Sequence, residues 1–371
     1  MRRLARRVDG WTGSALVALS LTVYPPTRLS AQDDPRISEA QTVLSALVES
    51  YGVSGAEGPV RETVKRLLPS WARTDTDTAG NLWVRVGTGA PIVVFVAHLD
   101  EIGFTVSGVR EDGTLELQSR GGFIHSLFEA KPALVHTDGG VVAGVFLPRD
   151  SGFTRHTPPP LRVDLGTSSR AASMARSVSP GQTVTMPKQF VRLAGTRATG
   201  RSFDDRVGSA AQVLALRRLD RAALKHQVIF LWSTREEVGL EGARAAAAAL
   251  GTAPTRVHAV DTFVSADSPL EVPSFAVAPL GEGAVARALD NSSITPPAYV
   301  DSLVAVARAR RVKLQVGTTN GGNDGSAFTP FGVVDVPIGW PLRYSHSPAE
   351  VADLRDVVSL ADMIQAIAET W

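Results

Sequence analysis

The chain has 371 residues, 44% of them hydrophobic, with 38 basic against 37 acidic side chains, 7 histidines and no cysteine. That length exceeds what one core usually organises, so two structural units or a core with an insertion are expected. A formal net charge of +1 lacks the electrostatic footprint of a nucleic-acid or polybasic membrane-surface protein. Without cysteine there are no disulfides, iron–sulfur clusters, thiolate zinc sites or cysteine nucleophiles, so any metal must be held by His, Asp and Glu.

Arg2, Arg3, Arg6 and Arg7 precede an apolar run at 15–23 and a small residue, Ala31. This is the layout of a secretory signal peptide, too short in its apolar part to span a bilayer, and it predicts export with cleavage after residue 31. No membrane span is then expected in the mature chain. Between residues 39 and 68 apolar residues recur at helical spacing, interrupted by Gly52, Gly55 and Gly58. Runs at 82–86 and 92–96 read as strands. From 107 to 195 short β-type segments (114–118, 133–136, 141–147, 162–165) alternate with Gly, Asp-Gly and Pro turns. Helices and strands alternate again after 196: helices at 208–219, 242–250 and 297–310, strands at 228–232 and 257–260. The pattern predicts an α/β sandwich around a mixed, largely parallel sheet, formed by 36–106 and 196–371 and split by a β-rich insertion at 107–195.

Three apolar strands run directly into chemistry. The run at 92–96 is followed by His98, Asp100 and Glu101; that at 228–232 by Glu236 and Glu237; that at 257–260 by Asp261. Ligands of open α/β sheets bind beyond the carboxyl ends of strands, so these groups are expected to converge. Asp204-Asp205 ahead of a helix and His346 in Arg343-Tyr344-Ser345-His346-Ser347-Pro348 have the same flavour. The candidate ligands are His98, Asp204, Glu237, Asp261 and His346. Two imidazoles and three carboxylates suit a pair of Zn²⁺ or Co²⁺ ions better than Ca²⁺ or Mg²⁺, with one carboxylate bridging. Each residue alone has a plainer explanation: Asp204-Asp205 as a helix cap, Glu236-Glu237 as a solvated loop, Asp261 as a turn residue, His346 to Pro348 as the start of a helix containing Glu350 and Leu354. His125, His136, His156, His226 and His258 lie in ordinary contexts.

In combination these blocks resemble the two-metal glutamyl and tetrahedral aminopeptidase family, some of whose members carry endoglucanase labels. The likeness runs from Tyr51-Gly52-Val53-Ser54-Gly55 through Gly80-Asn81-Leu82, His98 to Phe104, Asp164-Leu165-Gly166, Ser202 to Gly208, Glu236 to Leu240, Asp261 and the Arg343–Pro348 block. The resemblance implies a zinc-peptidase-like fold and a peptide hydrolase acting at N-termini through two divalent ions. It implies that Asp204 bridges, that His98 and Asp261 complete one shell, and that Glu237 and His346 complete the other. Glu236 would be the general base, and Asp100 would orient His98 through its second ring nitrogen. The insertion would serve homo-oligomer assembly. Asn323 departs from the family's usual threonine, and no glycine follows Asp267-Ser268-Pro269. A related two-metal carboxypeptidase or amidase, and a metal- or peptide-binding protein without activity, are the rival readings; a glycosidase would need two carboxylates flanking a sugar, not imidazoles among acids.

Overall fold

The computed structural model describes residues 34–149, 159–265, 267 and 278–370. The expected signal segment, His156 and the stretch after Asp267 lie outside them.

Helix α1 (Pro35–Val48) starts with Pro35 at its first position and Asp34 accepting the Arg36 N–H. The glycine-interrupted loop follows, then α2 (Gly58–Leu67) and the strands β1 (Thr74–Thr76), β2 (Leu82–Val86) and β3 (Ile92–His98). The chain leaves this layer for β4 (Gly103–Val109), β5 (Leu115–Arg120), β6 (Pro132–Thr137), β7 (Gly140–Phe146) and β8 (Arg162–Asp164). A short α3 (Arg170–Met174) and β9 (Thr183–Thr185) complete this unit. These strands close into an antiparallel barrel in the order β4-β5-β8-β7-β6-β9. The barrel therefore opens at Gly103, and the next strand, β10 (Val191–Arg192), already pairs outside it, with β11 (Arg197–Gly200). Phe104, Phe128, Phe146, Val135 and Val184 fill its interior as a core separate from the main one.

The second pass through the main layer comprises α4 (Phe203–Arg218), β12 (Gln227–Ser233), α5 (Glu241–Leu250), β13 (Pro254–Val264), β14 (Ala284–Leu289), α6 (Pro297–Arg310) and β15 (Leu314–Thr318). It ends with β16 (Val334–Asp335), β17 (Ile338–Leu342), β18 (Glu350–Asp353) and α7 (Leu354–Thr370). The sheet order is β1-β2-β12-β3-β13-β17-β14-β15, with β16 beside β13. Its centre, β12-β3-β13-β17, is parallel, while β2 and β14 pair antiparallel at either side. The central strands are buried on both faces, which is why they read as unbroken apolar runs. Phe95, Phe230 and Trp232 face α1, α4 and α7. Val94, Val96, Ile229 and Leu231 face the alanines of α5, namely Ala243, Ala246 and Ala247. Alternate residues thus serve two helix layers, and only the strand ends are free for chemistry.

Two readings need correction. Glu350 lies in a strand, and the helix begins only at Leu354, because β18 must first pair with β11. The helix expected from 208 begins at Phe203, with Asp204 and Asp205 in non-helical conformation inside its first turn.

Candidate metal centre

Strand register brings the site together. Ser233 pairs with His98, and Ala259 with Val96, which sets Asp261 level with His98 and places Glu236 and Glu237 just beyond the same edge. On the far side, the start of α4 is turned toward this edge. Glu350 accepts the Phe203 N–H at 2.6 Å and the Asp204 N–H at 3.4 Å. Asp205, fully buried, accepts the His98 N–H at 2.9 Å and the Gly208 N–H at 3.0 Å. A β-carbon at Gly208 would collide with the Asp205 carboxylate and the Val260 carbonyl, so the close approach of α4 to β13 requires glycine there.

Asp204 stands at the centre. Its Oδ1 is 3.0 Å from His98 Nε2 and its Oδ2 is 3.3 Å from His346 Nε2. His346 Nε2 is also 3.2 Å from Glu237 Oε1, a buried oxygen with no aligned hydrogen bond. Among the described residues, potential ligand atoms gather in three overlapping groups: His98, Asp204 and Asp261; Asp204, Glu237 and His346; and His98, Glu236 and Glu237. The first two contain all five predicted ligands and share Asp204. Each imidazole is held by its other nitrogen. His98 Nδ1 lies 3.1 Å from the Asp100 carbonyl, and His346 Nδ1 lies 2.6 Å from the carbonyl of Gly122, on the barrel. Donation from Nδ1 leaves Nε2 with its lone pair toward the site.

Asp100 lies against both His98 and the turn bearing Glu236 and Glu237. Its carboxylate is 3.5 Å from His98 Nδ1, and it accepts the N–H groups of Glu236 at 2.9 Å and Glu237 at 3.2 Å, and the Ser54 hydroxyl at 2.6 Å. The carbonyl and the carboxylate of Asp100 both face the His98 imidazole, and the carboxylate also holds the turn bearing both glutamates.

The electrostatics are those of a cation site. Burial raises Glu236 well above the usual carboxylate range against the pull of His98, and Asp261 and Glu237 push it further. Burial likewise brings Asp261 to about 6 and Asp324 to about 7. Asp204 is the exception: burial raises it, but His346 and His98 outweigh burial and hold it ionised. Among the described residues, one arginine lines the cleft: Arg287, 3.5 Å from Asp261 and 3.0 Å from Asp290. One guanidinium and two imidazoles do not balance this many carboxylates. The donor set, imidazole nitrogen plus carboxylate oxygen at strand ends, fits borderline divalent ions. The cleft has a volume of about 440 Å³, and its wall beyond the acids is formed by Thr262, Val264, Asn320, Gly321 and Gly322.

Sequence reasoning passed over Asp205, Glu350 and Arg287, and gave Glu101 no role. Only adjacency, of Asp205 to the candidate ligand Asp204 and of Glu101 to Asp100, could have flagged two of them. Arg287 and Glu350 carry no local signal. His125, His136, His226 and His258 lie away from the ligand groups.

Residues 80–363 match the M42 glutamyl aminopeptidase family. A glutamyl aminopeptidase of Lactococcus lactis is 28% identical over 340 residues, covering 87% of this chain and 94% of its own. A lysyl aminopeptidase of Pyrococcus furiosus is 29% identical over 345 residues, covering 88% and 96%. The solved TET1 peptidase of Pyrococcus horikoshii, described as able to assemble into a tetrahedron or a large octahedral shell, superposes with a TM-score of 0.80 at 30% identity, covering 90% of this chain and 99% of its own. With a sheet edge that gathers His98, Asp204, Glu237, Asp261 and His346, the chain belongs to the M42 glutamyl aminopeptidase family and is a metal-dependent aminopeptidase.

Proposed function

We propose that the enzyme removes N-terminal residues from peptides with two divalent ions, zinc or cobalt, and with Glu236 as general base. The observation that carries this is the sharing of Asp204, whose opposite oxygens face His98 and His346 in two separate acid–imidazole groups. His98, Asp204 and Asp261 would hold one ion, and Asp204, Glu237 and His346 the other. When bound, the ions activate a water and polarise the scissile carbonyl. Glu236 Oε2 lies 4.0 Å from His98 Nε2, at the border of both groups, and it is not needed to complete either shell. Burial raises its proton affinity well above that of an ordinary carboxylate, which suits a group that takes a proton from the attacking water and returns it to the leaving amine. Thr262, Val264 and the Asn320–Gly322 loop line the cleft in which the N-terminal residue of the substrate would sit.

Glu236→Gln is expected to keep two ions per subunit by elemental analysis while turnover falls roughly 10²–10⁴-fold, the usual contribution of a general base. Near wild-type turnover, or a single ion in the active enzyme, would reject this reading.

The barrel is the assembly surface in this proposal. The horikoshii peptidase is described as forming closed shells, and here Val141 and Val145 are 57% and 48% exposed on the outer face of β7. The basic and apolar start of the chain directs it to export; N-terminal sequencing should find a mature chain beginning after Ala31, and retention of residues 1–31 in an active cytoplasmic enzyme would overturn that.

A further inference from the structure

The turn that carries the base is held by a second carboxylate. Ser233 ends β12, and α5 begins only at Glu241, so Glu236 sits on an irregular segment with Arg235 in the left-handed region at φ 53°. Such a segment has no ladder of its own, and its amides must find partners elsewhere. They find them in order along the chain. Arg235 N donates to Glu57 Oε1 at 3.1 Å, Glu236 N to Asp100 Oδ1 at 2.9 Å, and Glu237 N to Asp100 Oδ2 at 3.2 Å. Both acceptors are nearly sealed from solvent, Glu57 at 5% exposure and Asp100 at 0%. The loop between α1 and α2 ties them together: Glu57 Oε1 also accepts the Gly55 N–H at 2.7 Å, and the Ser54 hydroxyl donates to Asp100 Oδ2 at 2.6 Å.

We infer that Glu57 and Ser54 are positioning residues of the hydrolytic reaction, forming with Asp100 a clamp on the amides of 235–237 that aims the Glu236 carboxylate. This rests on Glu236 being the base. Glu57 reaches the reacting atoms through that turn, whereas Ser54 acts through Asp100, whose carboxylate also lies 3.5 Å from His98 Nδ1. Neither Glu57 nor Ser54 belongs to any of the ligand groups. Because a single oxygen of Glu57 accepts both N–H groups, a glutamine oxygen can replace it. Burial and the neighbouring Asp100 charge already favour an uncharged group there. A small error in the aim of a general base is costly in kcat and leaves substrate binding largely untouched.

The experiment compares the zinc-loaded enzyme with Glu57→Ala, Glu57→Gln and Ser54→Ala on a leucyl anilide. Glu57→Ala is expected to lose roughly 10–100-fold in kcat with KM within about threefold and two ions retained, and Glu57→Gln to recover most of that loss. Ser54→Ala, which leaves the Asp100 acceptors in place, should fall between. In a Glu236→Gln background, Glu57→Ala should cost less than about threefold, because the group it aims is gone. A Glu57→Ala enzyme with kcat within threefold of wild type, a loss that Glu57→Gln does not recover, or an equal loss in the Glu236→Gln background would each overturn the clamp. If Glu57→Ala does not fold, Ser54→Ala and its combination with Glu236→Gln decide the matter by the same criteria. Full activity of Glu236→Gln itself would instead remove the base on which the clamp acts.

Discussion

At the residue scale, two carboxylates that neighbour one another in sequence live in opposite fields. Asp100 faces the 235–237 turn, whereas Glu101 is turned away into a buried group of cations. Lys188 Nζ is 2.8 Å, Arg201 Nη1 3.4 Å and Arg206 Nη2 3.5 Å from the Glu101 oxygens. Burial raises Glu101, but these three cations outweigh burial and keep it ionised well below the usual range. One negative charge cannot satisfy three positive ones, and the lysine is the partner that yields. Burial, with Arg206 and Arg201 adding to it and Glu101 opposing, brings Lys188 down to about 7 from an ordinary 10.5. The unfolded chain keeps that proton up to about 10.5, so between the two values it carries more protons than the folded one, and stability rises with pH across this window. The slope is at most on the order of 1 kcal/mol per pH unit. The wild type should therefore gain Tm over Lys188→Met as pH goes from 7 to 9, measured by thermal unfolding of the zinc-loaded proteins. A difference that stays flat would refute a depressed Lys188.

At the element scale, what the sequence discloses depends on whether an element's surroundings repeat along it. The run at 82–86 and the helix at 297–310 are found with the bounds read from sequence, because a buried strand and a helix opened by proline each carry a local, periodic signal. The parallel centre of the sheet is legible for the same reason, as are the acids and imidazole at its strand ends. The start of α4 is not. Ser202 at φ 69° and the non-helical Asp204 and Asp205 are set by contacts with Glu350, His98 and Gly208, none of which has a sequence period. The five candidate ligands are thus legible in the sequence as types at the ends of elements, and the structure brings them together. Their supports are not legible in that way. Arg287 and Glu57 reach the site from a strand and a loop tens of residues from the nearest candidate ligand, Glu350 lies only four residues beyond His346, and each looks like an ordinary surface charge in the linear chain. Asp100 shows the same limit inside a recognised motif: its place beside His98 is legible in the sequence, but its hold on the 235–237 amides is not.

At the scale of the whole molecule, the barrel and the sheet share more than a pair of connections. Glu101 stands where the chain enters the barrel and Lys188 where it leaves, so their ion pair closes the base of the insertion. Arg201 donates to the Ile102 carbonyl across the same joint. At the cleft, Gly122 of the barrel holds His346 of the main layer. A load placed on the barrel by neighbouring subunits would thus be borne by the joint beside Asp100 and by the carbonyl that orients a ligand. In the assembly proposed above, such a load would enter through the outer face of β7. Val141 and Val145 project there from alternate positions of one strand, and paired apolar exposure on a small barrel is a surface that association would cover. Replacing both with lysine adds two like charges per copy without touching the barrel interior, where Phe104, Phe128 and Phe146 pack. Light scattering should give a multiple of the chain mass for the wild type and a smaller species for Val141→Lys/Val145→Lys, with the cleft residues unchanged. A wild type that is monomeric at micromolar concentration would remove assembly altogether. An unchanged mass in the double variant would move the contact away from β7. If the joint transmits the load, the dissociated variant should also bind its ions less tightly at the group containing His346, seen as faster loss of one of two ions to a chelator. Equal loss rates before and after dissociation would show that the barrel assembles without tuning the site.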